Sequence, residues 1–129
     1  MSNFKDDCTL EAMKFLTRRC HEENARWWKD LDTGEPTHGR PHVVGEKLML
    51  VVTELAEAME GHRKDLWDAH LPHRKAFDVE LADAMIRIFD LAGALKCDLA
   101  DAFVEKLHYN QTRADHTDAA RKAPGGKKV

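Results

Sequence analysis

Two apolar stretches with the period of an α-helix each carry a pair of acids three positions apart, and this feature constrains the fold most. The first pair, Glu54 and Glu57, lies in VVTELAEAME (51–60), and the second, Glu80 and Asp83, lies in VELADAMIRIFD (79–90). Residues at i and i+3 share one face of a helix, so each stretch predicts an acidic strip on an otherwise apolar helix. Because a buried carboxylate is costly without a compensating partner, these strips call for a cation, a basic side chain or water beside them.

The periodicity of the apolar residues predicts four helices, over about 9–28, 43–62, 76–95 and 98–113, the last with Asp98 as its N-cap. Residues 30–41 are rich in Gly and Pro and predict a loop, and Pro72 marks 63–75 as a connector. Neither β-type alternation nor a repeat of fixed period is found. The sequence therefore predicts an all-α, four- to five-helix bundle, with a single domain at 1–113 and a basic, Gly- and Lys-containing tail at 114–129.

The composition excludes several classes of protein. The 129 residues carry a net charge of −3, from 20 basic and 23 acidic side chains, so we expect neither a nucleic-acid partner nor a membrane partner. No apolar run approaches the roughly 18 residues of a transmembrane helix, and the N-terminus lacks the apolar segment of a secretion signal. Three cysteines without a CxxC motif favour reduced thiols, and hence a cytoplasmic protein, over a disulfide framework or a zinc site.

The two acid pairs predict a site for a hard metal ion. Four carboxylates brought together cannot all ionise unless a cation compensates them, and oxygen ligands without paired His or Cys favour Mg²⁺ or Mn²⁺ over zinc. The alternative is a pair of solvated helix faces with local ion pairs, such as Glu57 with Arg63 or His62, and Arg87 with Asp83 or Asp90. Identical spacing on two adjacent apolar helices favours the metal. The candidate ligands are Glu54, Glu57, Glu80 and Asp83.

The fourth helix carries a polar strip of a different kind. Lys106, Asn110 and Arg113 are spaced i, i+4, i+7 and share one face, where two cations and an amide can hold phosphate oxygens. The alternative is that the two cations complement the dipole at the C-terminal end of the helix. Together with the acids, this strip predicts a polyanionic ligand that a metal bridges to the protein.

These motifs resemble those of a known family. ELAE (54–57), 22 further residues and ELAD (80–83) resemble the ExxE…ExxD signature of MazG-like nucleoside triphosphate pyrophosphohydrolases. EKLHYNQTR (105–113) resembles the KxxxNxxR helix that follows it in the family. The similarity extends from about residue 25 to the C-terminus, through LDTGEP, LPHR, RADH and GGKK, and is greatest to the compact, single-domain branch found in bacteria and phage genomes.

The resemblance implies a specific activity. Family members are all-α proteins that hold Mg²⁺ through the four acids and hydrolyse an NTP or dNTP to the monophosphate and pyrophosphate, by attack of metal-activated water on the α-phosphorus. It implies that Lys106, Asn110 and Arg113 hold the phosphates, that the role is sanitation of the nucleotide pool, and that a homodimer or a dimer of dimers completes the bundle. Many relatives have a further Glu where this chain has Thr53, so the number of metals and the general base stay open.

Two other functions remain as alternatives: a sister pyrophosphohydrolase acting on phosphoribosyl-ATP or another modified nucleotide, and a non-catalytic, nucleotide-binding helical oligomer. A di-iron carboxylate bundle is disfavoured, because it needs Glu-x-x-His on two helices.

Further candidate contacts lie beside the acid helices and in the tail, each with a plain structural alternative. An aromatic can stack on a base or pack in the core, and a tail lysine can cover a triphosphate or aid solubility. These candidates are Trp27, Trp28, Trp67, Lys127 and Lys128.

Overall fold

The computed structural model describes residues 3–129, and that part of the chain is all-α, as predicted. It contains isolated β-bridges, between Lys29 and Pro36 and between Trp67 and Lys75, but no strand within residues 3–129. Short 3₁₀ turns cover Ala25–Trp28 and Ala114–His116. The helices are α1 (Phe4–Asn24), α2 (Val43–Arg63), α3 (Ala76–Leu95), α4 (Leu99–Thr112) and α5 (Asp118–Lys122).

The ends of α1 differ from the prediction of a helix over 9–28. The helix begins five residues earlier, at Phe4, where the side chain of Asn3 accepts a hydrogen bond from the backbone N–H of Lys5 (2.8 Å). At the other end the predicted last turn is a 3₁₀ turn. There the side chain of Asn24 donates to the carbonyl of Cys20 (2.7 Å), and such a bond competes with the regular helical pattern.

Asp98 occupies the N-cap position of α4, as predicted, but its side chain does not cap the helix. Its carboxyl instead hydrogen-bonds that of Asp101, which raises the pKa of Asp101. The tail is not featureless: Thr117 caps α5 by accepting a hydrogen bond from the N–H of Ala120 (3.2 Å).

The described chain forms two compact units. The first, which we call the terminal unit, combines the residues up to Lys14 with those from Asp98 onward, and the second, the central unit, is Phe15–Cys97. The prediction of a single domain over 1–113 stays a prediction. All four predicted acidic ligands lie in the central unit, whereas the KxxxNxxR helix lies in the terminal unit.

In the central unit, α2 and α3 run antiparallel and pack through small side chains. The end of α2 meets the start of α3, where a Cβ added to Gly61 would lie 3.0 Å from the Cβ of Ala76. Ala58 of α2 and Ala84 and Ala92 of α3 are buried. Small residues let the two helices approach closely, and this contact sets the acids of α2 opposite those of α3.

Helix α2 leaves most of its large apolar side chains exposed. Its interior face is made by Val51, Glu54, Ala58 and Gly61, which are buried. Several large apolar residues form an exposed stripe on α2 and another on α3. These residues are Leu48, Val52, Leu55 and Met59 on α2, and Leu81, Met85 and Ile88 on α3.

Within residues 3–129, no helix combines the length and the apolar character that crossing a bilayer requires.

Candidate functional site

The helix pair brings three of the four predicted acids together. Glu54 and Glu57 of α2 and Glu80 of α3 each offer a carboxylate oxygen, and the three oxygens lie within 4.8 Å of one another. Glu54 is buried, with 7% of its surface exposed, while Glu57 is exposed and Glu80 is half-buried. We call these three residues the acidic triad. Its geometry follows from the i, i+3 spacing on α2 and the antiparallel contact with α3.

The triad holds a proton near neutral pH. Burial, which has the largest effect, a hydrogen bond with Glu54 and the negative charges of Glu57, Glu54 and Asp83 together raise the pKa of Glu80 to about 7. A hydrogen bond between two carboxyl groups requires a proton on one of them. A divalent cation can replace that proton and compensate more of the negative charge, so the donor set fits Mg²⁺ or Mn²⁺.

Asp83 lies outside the triad but next to it. Its pKa is raised by burial first and then by the charge of Glu54, while Arg87 acts in the opposite direction. The charge of Asp68 also raises this pKa, so the 64–75 connector brings another acid near the site. Asp68 is itself buried and accepts hydrogen bonds from the N–H groups of His70 (2.9 Å) and Leu71 (2.6 Å). Asp68 belongs to none of the motifs in the sequence, although an Asp that opens a turn has this bonding pattern.

Arg87 pairs with the triad and not with the acids of its own helix. Its Nε donates to Oε1 of Glu54 across the contact between α3 and α2, at 2.5 Å. The local pairs that we considered, Arg87 with Asp83 or Asp90, are replaced by this bond between helices. Arg63, the suggested partner of Glu57, pairs with Glu60 at 3.0 Å. Glu54 therefore has a basic partner, but that partner comes from the facing helix.

A cavity of about 560 Å³ opens beside the triad. Two cations, two acids, an amide, an exposed indole and two aliphatic side chains surround it, which is the mixture of polar and apolar groups found in small-molecule sites. Asn24 and Lys47 were not predicted as site residues, because neither belongs to a motif. The lining residues are Asn24, Trp27, Lys47, Leu50, Asp83, Ile86, Arg87 and Asp90.

A hydrogen-bonded network holds one wall of this cavity. Asp90 is buried, and both its oxygens accept from Nε1 of Trp28 at 3.0 Å, while Nδ1 of His21 lies 2.9 Å from Oδ1. The ring of Trp28 stacks on that of His38, with centroids 4.8 Å apart. Asp90 thus joins α3 to the 3₁₀ turn that follows α1.

The three tryptophans have different environments. Trp28 is 1% exposed, which agrees with the alternative of a core residue and leaves no face for a base. Trp27 lines the cavity and is 48% exposed, and Lys47 donates to its backbone carbonyl (3.2 Å). Trp67 is exposed in the connector, with Nζ of Lys75 at 4.1 Å from its ring centroid. Trp27 is therefore the tryptophan that the cavity offers to a ligand.

The predicted phosphate-binding residues lie in the terminal unit. Lys106 and Asn110 belong to α4, whereas Arg113 follows the last residue of the helix with an extended backbone, so the predicted helical face does not reach it. Nζ of Lys106 is 4.5 Å from the ring centroid of Tyr109, and Cζ of Arg113 is 5.8 Å from it. The Oδ1 atom of Asn110 is buried and has no hydrogen-bond partner within residues 3–129. Whether this face acts together with the acids stays a prediction.

Asp115 forms ion pairs with two of the candidate cations. Arg113 donates to both its oxygens (2.9 and 2.6 Å), and Nζ of Lys127 donates to Oδ2 (3.1 Å). These bonds place the pKa of Asp115 well below its ordinary value, the Arg113 bond having the larger effect. Lys127 of the tail thus lies beside Arg113, while Lys128 is exposed.

No protein-family model matches this chain, and no curated protein or solved structure matches it. The function is therefore inferred from its own residues and their geometry.

Proposed function

We propose that this protein is a Mg²⁺-dependent nucleoside triphosphate pyrophosphohydrolase of the MazG-like type, acting on an NTP or dNTP. The observation that carries the proposal is the acidic triad, which brings three carboxylate oxygens from two helices within 4.8 Å beside a cavity of about 560 Å³. The ExxE…ExxD and KxxxNxxR motifs support the same function. Sanitation of the nucleotide pool in the cytoplasm is the role that we propose.

The acids are the groups that would hold the metal. Glu54, Glu57 and Glu80 supply oxygen donors of the kind Mg²⁺ and Mn²⁺ prefer, and Asp83 adds a fourth carboxylate at the edge of the cavity. When bound, Mg²⁺ polarises phosphoryl oxygens and lowers the pKa of coordinated water. Thr53 stands where many MazG-like proteins have a further Glu, and its hydroxyl donates to the carbonyl of Leu50 (2.7 Å).

The remaining groups position the substrate and accept a proton. The oxygen of the attacking water forms a bond to the α-phosphorus, and a carboxylate of the site accepts the proton that this water loses. The bond from the α-phosphorus to the bridging oxygen then breaks, and pyrophosphate leaves. Lys106, Asn110 and Arg113 are proposed to hold the phosphates and to stabilise the charge of the leaving group. To bind the phosphates, Arg113 must release Asp115 and donate to phosphate oxygens instead.

We also propose that the protein works as a homodimer or a dimer of dimers. The exposed stripes lie on α2 and α3, the two helices that carry the acids. A second copy that covers them would exclude water from the site.

The test is a panel of NTPs and dNTPs incubated with the protein, with and without Mg²⁺, and resolved by ion-exchange chromatography. We expect the monophosphate and pyrophosphate with Mg²⁺ present, a loss of at least about 100-fold in Glu54→Gln and Asp83→Asn, and full activity in Glu46→Gln, whose exposed side chain lies in the first turn of α2. Diphosphate and orthophosphate as products would overturn the assigned bond. No turnover of any nucleotide would overturn the proposed substrate class and favour a modified nucleotide or a non-catalytic oligomer.

A further inference from the structure

We propose that Arg87 exchanges partners: it neutralises Glu54 when the acidic triad is free of metal, and it binds the phosphates of a ligand in the cavity when the triad holds a metal. The inference rests on the proposed function, since it takes the ligand to be a triphosphate.

The position of Arg87 connects the triad to the cavity. Its Nε donates to the buried carboxylate of Glu54 (2.5 Å), and its side chain, 40% exposed, lines the cavity. Neither Nη atom of Arg87 has a hydrogen-bond acceptor within residues 3–129. One edge of the guanidinium is thus committed to the triad, while its other donors are available to a ligand.

The charges make the two partners exclusive. Glu54 belongs to the triad, so a divalent cation bound there takes over the neutralisation of its carboxylate. The cation also repels the guanidinium that is bonded to the same group. Metal binding therefore weakens the bond between Arg87 and Glu54 and favours an anion as the new partner of Arg87.

Of the two cations that line the cavity, Arg87 is the one with more hydrogen-bond donors available to a ligand. Nζ of Lys47, the second cation in the lining, already donates to the carbonyl of Trp27 and lies 4.6 Å from the ring centroid of Trp28. Asp90, the buried acid of the lining, already has hydrogen-bond partners in Trp28 and His21. A guanidinium presents planar donors that match phosphate oxygens, so Arg87 suits a triphosphate that reaches into the cavity from a metal at the triad.

A purely structural Arg87 predicts a different behaviour. If the side chain only compensates Glu54, its removal weakens the fold and the metal site together. In the exchange, removal strengthens metal binding, because a competing cation is lost, and weakens triphosphate binding. Opposite effects on the two ligands are therefore the signature of the exchange.

The experiment compares the full-length wild type with Arg87→Gln, which keeps hydrogen-bonding capacity and removes the charge. Free Mn²⁺ is measured by electron paramagnetic resonance, and binding of inorganic triphosphate in the presence of Mn²⁺ by calorimetry. We expect Arg87→Gln to bind Mn²⁺ roughly tenfold more tightly and triphosphate roughly tenfold more weakly. Arg87→Lys, which keeps the charge, should bind Mn²⁺ as the wild type does. Arg63→Gln, which alters an exposed pair with Glu60, should change neither value.

A measurement on the wild type tests the exchange even if Arg87→Gln does not fold. Modification of Arg87 by phenylglyoxal, followed by mass spectrometry, should be accelerated by Mn²⁺ and suppressed again by triphosphate. Arg87 that reacts at one rate under all three conditions would overturn the exchange. So would an Arg87→Gln variant that is folded and binds Mn²⁺ no more tightly than the wild type, or binds triphosphate equally well.

These outcomes are separate from those of the proposed function. A protein that hydrolyses no nucleotide but shows both shifts in Arg87→Gln retains the exchange and loses the pyrophosphohydrolase. A protein that hydrolyses NTP with Mg²⁺ but shows neither shift retains the activity and loses the exchange.

Discussion

Glu80 is the residue of the acidic triad whose protonation responds most to its neighbours. It lies half-buried opposite Glu54 and Glu57, and burial together with those neighbours raises its pKa to about 7. A carboxyl group with this property binds a proton at a pH where most surface carboxyls have lost theirs. The same crowding that makes the triad suitable for a metal makes it unfavourable without one.

The metal-free protein should lose stability as the pH rises through this range. In the unfolded chain Glu80 loses its proton near its ordinary pKa of 4.5, while in the folded chain it keeps the proton to about pH 7. Between these values the folded state binds more protons, so the contribution of Glu80 to the free energy of unfolding is complete below the lower pKa and falls as the pH approaches the higher one. Thermal unfolding in EDTA from about pH 5 to about pH 8 measures this fall.

Glu80→Gln is the control for this titration, because an amide has no proton to lose in this range. Its melting temperature should depend less on pH than that of the wild type, and Mg²⁺ at about pH 8 should stabilise the wild type more than the variant. A wild type and a Glu80→Gln variant with the same pH dependence would show that Glu80 is not the titrating group.

At the scale of helices, Gly93 sets how closely α1 and α3 approach within the central unit. A Cβ at this position would lie 2.6 Å from the Cβ of His21 and 3.1 Å from the carbonyl oxygen of Thr17. No side chain larger than a hydrogen atom fits at position 93. Glycine there allows α1 to come close enough for His21 to contact Asp90. The packing of these two helices therefore also positions one wall of the cavity.

Gly93→Ala should destabilise the fold by about 1–3 kcal/mol, because α1 and α3 must move apart to admit the methyl group. Gly45→Ala is the matched control: Gly45 also lies in a helix, α2, but nothing lies within 4 Å of an added Cβ. There the lower backbone entropy of Ala should stabilise the protein by roughly 0.5–1 kcal/mol. Urea unfolding measures both changes, and a Gly93→Ala variant as stable as the wild type would contradict the close approach.

The sequence predicted the elements better than their ends. α2 and α3 begin at the predicted residues, and α3 also ends at the predicted one, because an apolar period of 3.6 is a local property that survives whatever the helix packs against. The start of α1 and its 3₁₀ ending depend on hydrogen bonds made by the side chains of Asn3 and Asn24. The spacing of apolar residues carries no information about such bonds.

At the scale of the whole molecule, much apolar surface remains exposed. The stripes on α2 and α3 consist of large side chains, whereas several of the buried residues of these helices are alanines. Among residues 3–129, Trp28 is the one large side chain with less than 2% of its surface exposed. An exposed apolar surface of this kind marks an interaction site in proteins that remain soluble.

We expect the wild type to sediment as a dimer or tetramer of a 14.7 kDa chain. Val52→Glu places a charge in the exposed stripe of α2 and should shift the protein to the monomer, because burying an unpaired carboxylate in an apolar interface is costly. Leu31→Glu is the control, since Leu31 is 84% exposed in the loop that follows α1 and should not affect assembly. Sedimentation equilibrium distinguishes these cases, and a wild type at monomer mass would contradict the expected assembly.

The sequence by itself determined that the chain is all-α, where α2 and α3 lie, and which faces of them carry the acids. These properties depend on residues within one or two helical turns, so the order of residues suffices to predict them. The tertiary structure alone decided that Glu54 is buried and paired with Arg87, that Asp90 holds Trp28 and His21, and that Trp28 is core while Trp27 lines a cavity. Each of these contacts joins residues more than 30 positions apart or depends on burial, and both are set by which helices face each other and in what register.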